Sequence, residues 1–242
     1  MLACVALSAT LTACLDETIA ATTPLGPVDV DHPVAWFRLN EPTRIGHDIS
    51  SRHTDAIAMD ITVVSDPARG LVADLNPGVL TLGTPVHRDF TITLWLKTSQ
   101  AGPNQMGWVM GPRILDADVP GLALDFGLSL SLDKLAFGVG DPVDLMRDQT
   151  SMKSVRGVVD GEWHHIAITR SGDTGMRQIF IDGVLDSQQV ALPGDLVLPA
   201  LIKVGQLVPT VPPSPPLRAR ISDLRFFDSV LHASVITFLA KP

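Results

Sequence analysis

Residues 121–140 read GLALDFGLSLSLDKLAFGVG, and this stretch decides the fold. Leu122, Leu124, Phe126, Leu128, Leu130 and Leu132 take every even position, while Ala123, Asp125, Gly127, Ser129, Ser131 and Asp133 take the odd ones. Successive side chains of a strand point to opposite faces, so so long a period of two predicts a half-buried strand. The phase inverts at Asp133-Lys134, after which Leu135, Phe137 and Val139 continue on odd positions. A two-residue turn between antiparallel strands produces that inversion, and the stretch therefore predicts a hairpin.

The same pattern extends outward. Phe90, Ile92, Leu94 and Leu96 alternate with Thr91, Thr93, Trp95 and Lys97. Asp160-Gly161 introduces a strand over 163–169, and a loop over 171–175 leads into another over 177–181. Asp182-Gly183 is the strongest short-range hairpin signal, because both central residues of that turn need positive φ. Residues 201–207 and 218–227 supply two late strands. Leu231, Val235, Phe238 and Leu239 then fit one face of a short terminal helix. Short strands separated by turn signals predict an all-β, two-sheet antiparallel sandwich, and one such domain over 33–242 is an ordinary size for that class.

Composition agrees and excludes several functions. The chain has 242 residues, 45% of them hydrophobic, with 19 Gly and 19 Pro. Only two cysteines are present, Cys4 and Cys14, too few for a disulfide scaffold. A formal charge of −8 supplies no cationic field for phosphate backbones, so nucleic acid is not an expected partner. Of the 26 acids only Glu17, Glu41 and Glu162 are glutamates; the rest are Asp, a residue of turns and of oxygen-ligand metal sites.

Residues 1–14 are an address rather than part of the fold. Residues 2–13 are apolar or small, too few to span a bilayer but enough for the apolar core of a secretory signal. Leu11-Thr12-Ala13-Cys14 resembles the lipobox of bacterial lipoproteins, which implies Cys14 as lipid anchor on a secreted, envelope-bound protein; no Lys or Arg precedes the apolar run. Residues 15–32, with Thr22-Thr23-Pro24 and Gly26-Pro27, read as a flexible tether.

Two further stretches carry a family resemblance. Asp160-Gly161-Glu162-Trp163-His164-His165, followed by Ile179-Phe180-Ile181-Asp182-Gly183, resembles the signature of laminin-G-like domains, jelly rolls of the concanavalin A-like lectin/glucanase superfamily. Residues 35–39, 69–75, 90–97 and 221–227 fall where that family places its opening, second, central and closing strands. The resemblance spans about residues 33 to 240 and implies a jelly-roll sandwich. It implies core or near-core places for Trp36, Trp95 and Trp163, and a structural role for His164-His165. It also implies calcium at a rim of the sandwich, with Asp48 and Asp223 as ligands.

For chemistry the sequence offers little. Glycoside hydrolysis needs two carboxylates flanking the scissile bond. The three glutamates are scattered, and the Asp116/Asp118 pair has same-face spacing. His164 and His165 are adjacent on a strand and cannot chelate one ion together. Trp108, in the loop-like run Met106-Gly107-Trp108-Val109-Met110, is the aromatic expected to be presented to a ligand. The expected function is a non-catalytic binding or adhesion module for a glycan or protein, with calcium as its one implied cofactor. Its alternatives are an enzyme working through Asp pairs and a structural spacer of an envelope assembly. Oligomeric state is left open.

Overall fold

The computed structural model describes residues 32–104, 107–118, 125–139, 151–206 and 214–242. The signal, Cys14, the tether, the first part of the alternating stretch at 121–124 and most of the proline-rich 208–216 loop lie outside them. Two antiparallel sheets face each other. The eight-stranded sheet runs β13 (Val184–Val190), β12 (Met176–Ile181), β11 (Trp163–Arg170), β6 (Phe90–Lys97), β15 (Ala219–Phe227), β4 (Gly70–Leu75), β3 (Thr62–Asp66), with β1 (Ala35–Phe37) also on β15. The seven-stranded sheet runs β10 (Ser151–Gly157), β9 (Lys134–Val139), β8 (Phe126–Ser131), β7 (Arg113–Asp116), β14 (Leu201–Gln206), β5 (Gly78–Gly83), β2 (Ile57–Met59). This is the jelly-roll sandwich, with the short helix α1 (Ala233–Leu239) at its carboxyl end.

Alternation builds the core between the sheets. Phe90, Ile92, Leu94 and Leu96 of β6 meet Phe126, Leu128, Leu130, Leu135 and Phe137 of the opposite sheet in one buried cluster. The β8–β9 hairpin pairs Phe126 with Val139, Leu128 with Phe137 and Leu130 with Leu135, all inward. Its turn is Leu132-Asp133, one residue before the expected Asp133-Lys134. Gly102 exchanges two backbone hydrogen bonds with Leu132, of 2.8 and 3.1 Å, and fixes it at φ 54°, so this leucine is 47% exposed instead of closing the apolar stripe. The Asp182-Gly183 turn stands where the sequence put it, with φ values of 54° and 78°.

Helix α1 packs on the outward face of the eight-stranded sheet. Ile236 meets Ala167 and Phe180, while Val235 and Leu239 meet Phe227. The buried face is thus Val235, Ile236 and Leu239, and Phe238, expected on that face, points to solvent. On the outward face of the other sheet a 3-10 turn (Trp108–Met110) lays the Trp108 indole over the cross-strand pair Gly127 and Gly138. A Cβ at either glycine would fall inside the ring. Gly138→Ala should therefore expel Trp108 and cost about 2 kcal/mol, the usual scale of overpacking. Chemical denaturation read by tryptophan emission checks this, and an unchanged midpoint would refute the seat.

Candidate functional site

The inward phase of β6 fixes what its other face presents. With Phe90, Ile92, Leu94 and Leu96 in the core, Thr91, Thr93, Trp95 and Lys97 point outward. Cross-strand register extends each of these into a row. Lys97 pairs with Trp163 on β11 and Arg220 on β15, and Arg220 pairs with Asp74 on β4. Trp95 lies between His165 and Ser222, and Thr93 between Ala167 and Arg225, which pairs with Trp36 on β1.

Trp36, Trp95 and Trp163, expected in or near the core, thus stand on the outward face of their sheet, where Trp95 is buried and Trp36 and Trp163 are half-buried. Each is held by a guanidinium. Arg69 lies 3.9 Å from the Trp95 ring centroid and 5.7 Å from that of Trp163, and Arg225 lies 4.1 Å from Trp36. Such cation–π contacts let a large apolar ring sit near water without joining the core.

Asp66, almost fully buried at the end of β3, ties this surface together. One carboxylate oxygen accepts from the Trp163 indole at 3.0 Å and from Ala68 N–H at 2.9 Å. The other meets Arg220 at 3.2 Å and Lys97 at 3.5 Å. Burial alone would raise its pKa, but the bonds from Trp163 and Ala68 with the nearby Lys97 and Arg220 outweigh it and bring the group down to about 2.

The row Trp163–Lys97–Arg220–Asp74 is the last outward-facing row at its end of the sheet, and an open cleft of about 560 Å³ lies there. Lys97, Arg218 and Arg220 supply cations to its lining, Asp74 an acid, and Asn76 and Ser99 neutral polar groups. Sequence reasoning singled out none of these except through the strand pattern. Arg218 and Arg220 follow a proline-rich loop with no motif of their own. Asp66 lies in a strand whose run Thr62–Asp66 shows no clean alternation.

The expected site residues fall elsewhere. Asp48 is fully buried, and its carboxylate accepts from Trp36 N (2.9 Å), Ser50 N (2.8 Å), Ser50 Oγ (2.9 Å) and Thr54 N (3.0 Å). Asp223, at φ 55° within a bulge of β15, accepts from the Trp36 indole at 2.7 Å and is forked by Arg225 at 3.0 and 2.8 Å. The two carboxylates thus take different N–H groups of one tryptophan and share no ligand set. Four donors fill the acceptor sites of Asp48, so a cation there would have to displace one, whereas Asp223 accepts three and keeps one site open. Among the described residues no three His, Cys, Asp or Glu side chains form a metal-holding group.

Trp108 is 2% exposed; its glycine seat and Arg113, 5.5 Å from its ring, cover it, so it is not presented to a ligand. Asp116 and Asp118 do share a face, but both grip the buried Arg113, at 2.8 and 3.3 Å. His164 lies between Asp182 and Asp160, at 3.0 and 3.2 Å, so its partners are carboxylates. His47 and His53 lie in the loop between β1 and β2, where His47 meets Asp55 at 2.9 Å.

His165 points the other way and is buried edge-on to Trp95, 5.3 Å between ring centroids, with Nδ1 unpartnered. Burial lowers its pKa from 6.5 to about 4, with Asp223 raising and Arg225 lowering it to lesser extents. The unfolded chain then binds this proton first as pH falls. The stabilisation from His165 is complete above 6.5 and lost as pH falls through about 4. His165→Phe should flatten the stability profile across that window in urea melts at stepped pH, whereas a profile as steep as the parent's would show that another group sets the slope.

Comparison with known proteins fits this architecture. A family model described as concanavalin A-like lectin/glucanases superfamily, of the laminin-G type, matches residues 74–237. Domain 4 of AbnA, a Geobacillus stearothermophilus arabinanase solved with arabinotriose, superposes with TM-score 0.66 at 18% identity, covering 87% of this chain and 98% of that one. The botulinum neurotoxin serotype D binding domain does so with TM-score 0.64 at 13% identity, covering 87% and 52%. The botulinum neurotoxin DC binding domain in complex with SialylT gives 0.64 at 14%, covering 87% and 51%. The chain thus spans about half the length of the toxin domains it resembles. No curated protein matches it in sequence. With its two sheets, their strand order and the matched residues in agreement, the chain belongs to the laminin-G-like family of the concanavalin A-like lectin/glucanase superfamily.

Proposed function

We propose that this chain is a non-catalytic module that binds a glycan in the cleft at the Trp163–Lys97–Arg220–Asp74 row. The observation that carries the reading is an open cleft lined by hydrogen-bonding side chains, one of which, Lys97, pairs across strands with the outward Trp163. Rings stack on the apolar faces of sugars, and fixed polar groups read their hydroxyls. The arabinotriose and SialylT complexes of its structural neighbours support this reading. The enzymatic alternative through Asp116 and Asp118 finds no support, since both carboxylates are committed to one buried guanidinium rather than facing each other across a cleft. A protein ligand or a spacer role would appear as failure of the sugar screen.

Screening the 33–242 protein against an oligosaccharide array, then titrating hits by calorimetry, should give binding that Trp163→Ala weakens at least about tenfold. Circular dichroism would confirm that this variant stays folded. Absence of any oligosaccharide ligand at millimolar concentration, or full affinity in Trp163→Ala, would sink the proposal. Titrations in calcium and in excess chelator should agree, because the donors around Asp48 and Asp223 are already placed. Affinity gained only with calcium would return a cation to that rim.

The module is, in the same proposal, displayed on a bacterial envelope through a lipid on Cys14, a reading that rests on the sequence. Cys14→Ala should move the protein from the membrane to the soluble fraction, and unchanged fractionation would exclude the anchor.

A further inference from the structure

We propose that the cleft selects saccharides carrying an isolated carboxylate on a hydroxyl-rich ring, as uronic and sialic acids do, over neutral and densely sulfated ones; this rests on the glycan reading above. The first observation is the state of Arg218. Several arginines of the sandwich are spent on carboxylates: Arg88 on Asp173 and Asp195, Arg113 on Asp116 and Asp118, Arg156 on Asp182, Arg225 on Asp223. Arg218 is exposed at the cleft, and among the described residues its guanidinium has no carboxylate partner.

The backbone of Arg218 is nonetheless fixed from both sides. Its N–H donates to Gln100 Oε1 at 2.6 Å, and its carbonyl accepts from Thr98 Oγ1 at 2.8 Å. Thr98 Oγ1 also accepts from Gln100 N–H at 3.0 Å, and the Gln100 amide donates to the Pro216 carbonyl at 2.9 Å. Two side chains of the loop after β6 thus anchor the residue just before β15. The anchored backbone fixes where this side chain starts, and the planar pair of N–H groups on its guanidinium matches a carboxylate. Lys97 and Arg220 add positive potential beneath it, although both already share Asp66.

The second observation is Asp74. It lines the same cleft, partly exposed, with Arg220 Nε 3.6 Å away as its one ion-pair partner among the described residues. A carboxylate can only accept hydrogen bonds, so it suits ring hydroxyls and repels a second anion. Cations on one side and an acceptor on the other fit a sugar with one acid group and free hydroxyls. A chain of closely spaced sulfates would bring an anion against Asp74.

The test compares four acidic oligosaccharides, built on galacturonate, glucuronate, mannuronate and sialate, each with its carboxyl-reduced neutral counterpart and with a heparin hexasaccharide. Calorimetry should show at least one acid binding about tenfold or more above its reduced counterpart, the worth of a charge-assisted hydrogen-bonded pair. Arg218→Gln, an exposed change, should erase that preference while leaving the melting temperature unchanged. Asp74→Asn should raise heparin affinity relative to the acid. If neutral sugars bind and no acid outdoes its reduced form, the acid preference is overturned while the glycan reading stands. If the preference survives Arg218→Gln, or heparin binds tightest to the parent, the assignment of the fork is overturned. If no sugar of either kind binds, both readings fall together.

Discussion

The register of β6 is the constraint on which the rest depends. Its inward residues Phe90, Ile92, Leu94 and Leu96 lie at the centre of the core, and β11 and β15 pair along its two sides. A slip of one residue would turn Trp95 and Lys97 inward and empty the core of four apolar side chains. The same apolar burial that stabilises the sandwich therefore places Trp163, Lys97, Arg220 and Asp74 in one outward row. The cleft results from core packing read out on the opposite face, at the end of the sheet where the row meets the loop after β6.

Much of this was legible in the sequence, and part of the rest could have been. Parity gave the β6 strand to the residue and the β8–β9 hairpin to within one residue at its turn. The same parity already placed Trp36 between inward Ala35 and Phe37, and Trp95 between inward Leu94 and Leu96. The core or near-core places implied by the family resemblance hold for the buried Trp95, while Trp36 and Trp163 are half-buried on the outward face. A ring needs no place in the core when a guanidinium covers it, as Arg69 and Arg225 do here. Trp108 misled, because a loop tryptophan reads as exposed. Its seat becomes visible only once the hairpin register sets Gly127 across from Gly138.

Other elements had no one-dimensional signal. Strands β2, β3, β10 and β13 are short or lie at sheet edges, and their mixed exposure blurs the period of two. Asp66 and Arg218 act through partners distant in sequence, such as Trp163 for the first and Gln100 for the second. Contacts across such separations follow from topology, which the alternation of a single strand does not specify.

The two outward faces divide the work of the chain's abundant aspartates. On the seven-stranded sheet, Asp116 and Asp118 close on Arg113, and Arg113 lies against the Trp108 ring. Charge and aromatic surface there are consumed internally. On the eight-stranded sheet, Asp66 binds Trp163, Lys97 and Arg220 together, and Asp223 binds Trp36 and Arg225. The acids there hold a surface in shape without covering it. Pairing of this kind explains how a chain of formal charge −8 can gather Lys97, Arg218 and Arg220 around one cleft. Most of its negative charge is engaged in turns and ion pairs, so the local field at the end of the sheet is set by the few groups whose positions β6 and β15 dictate.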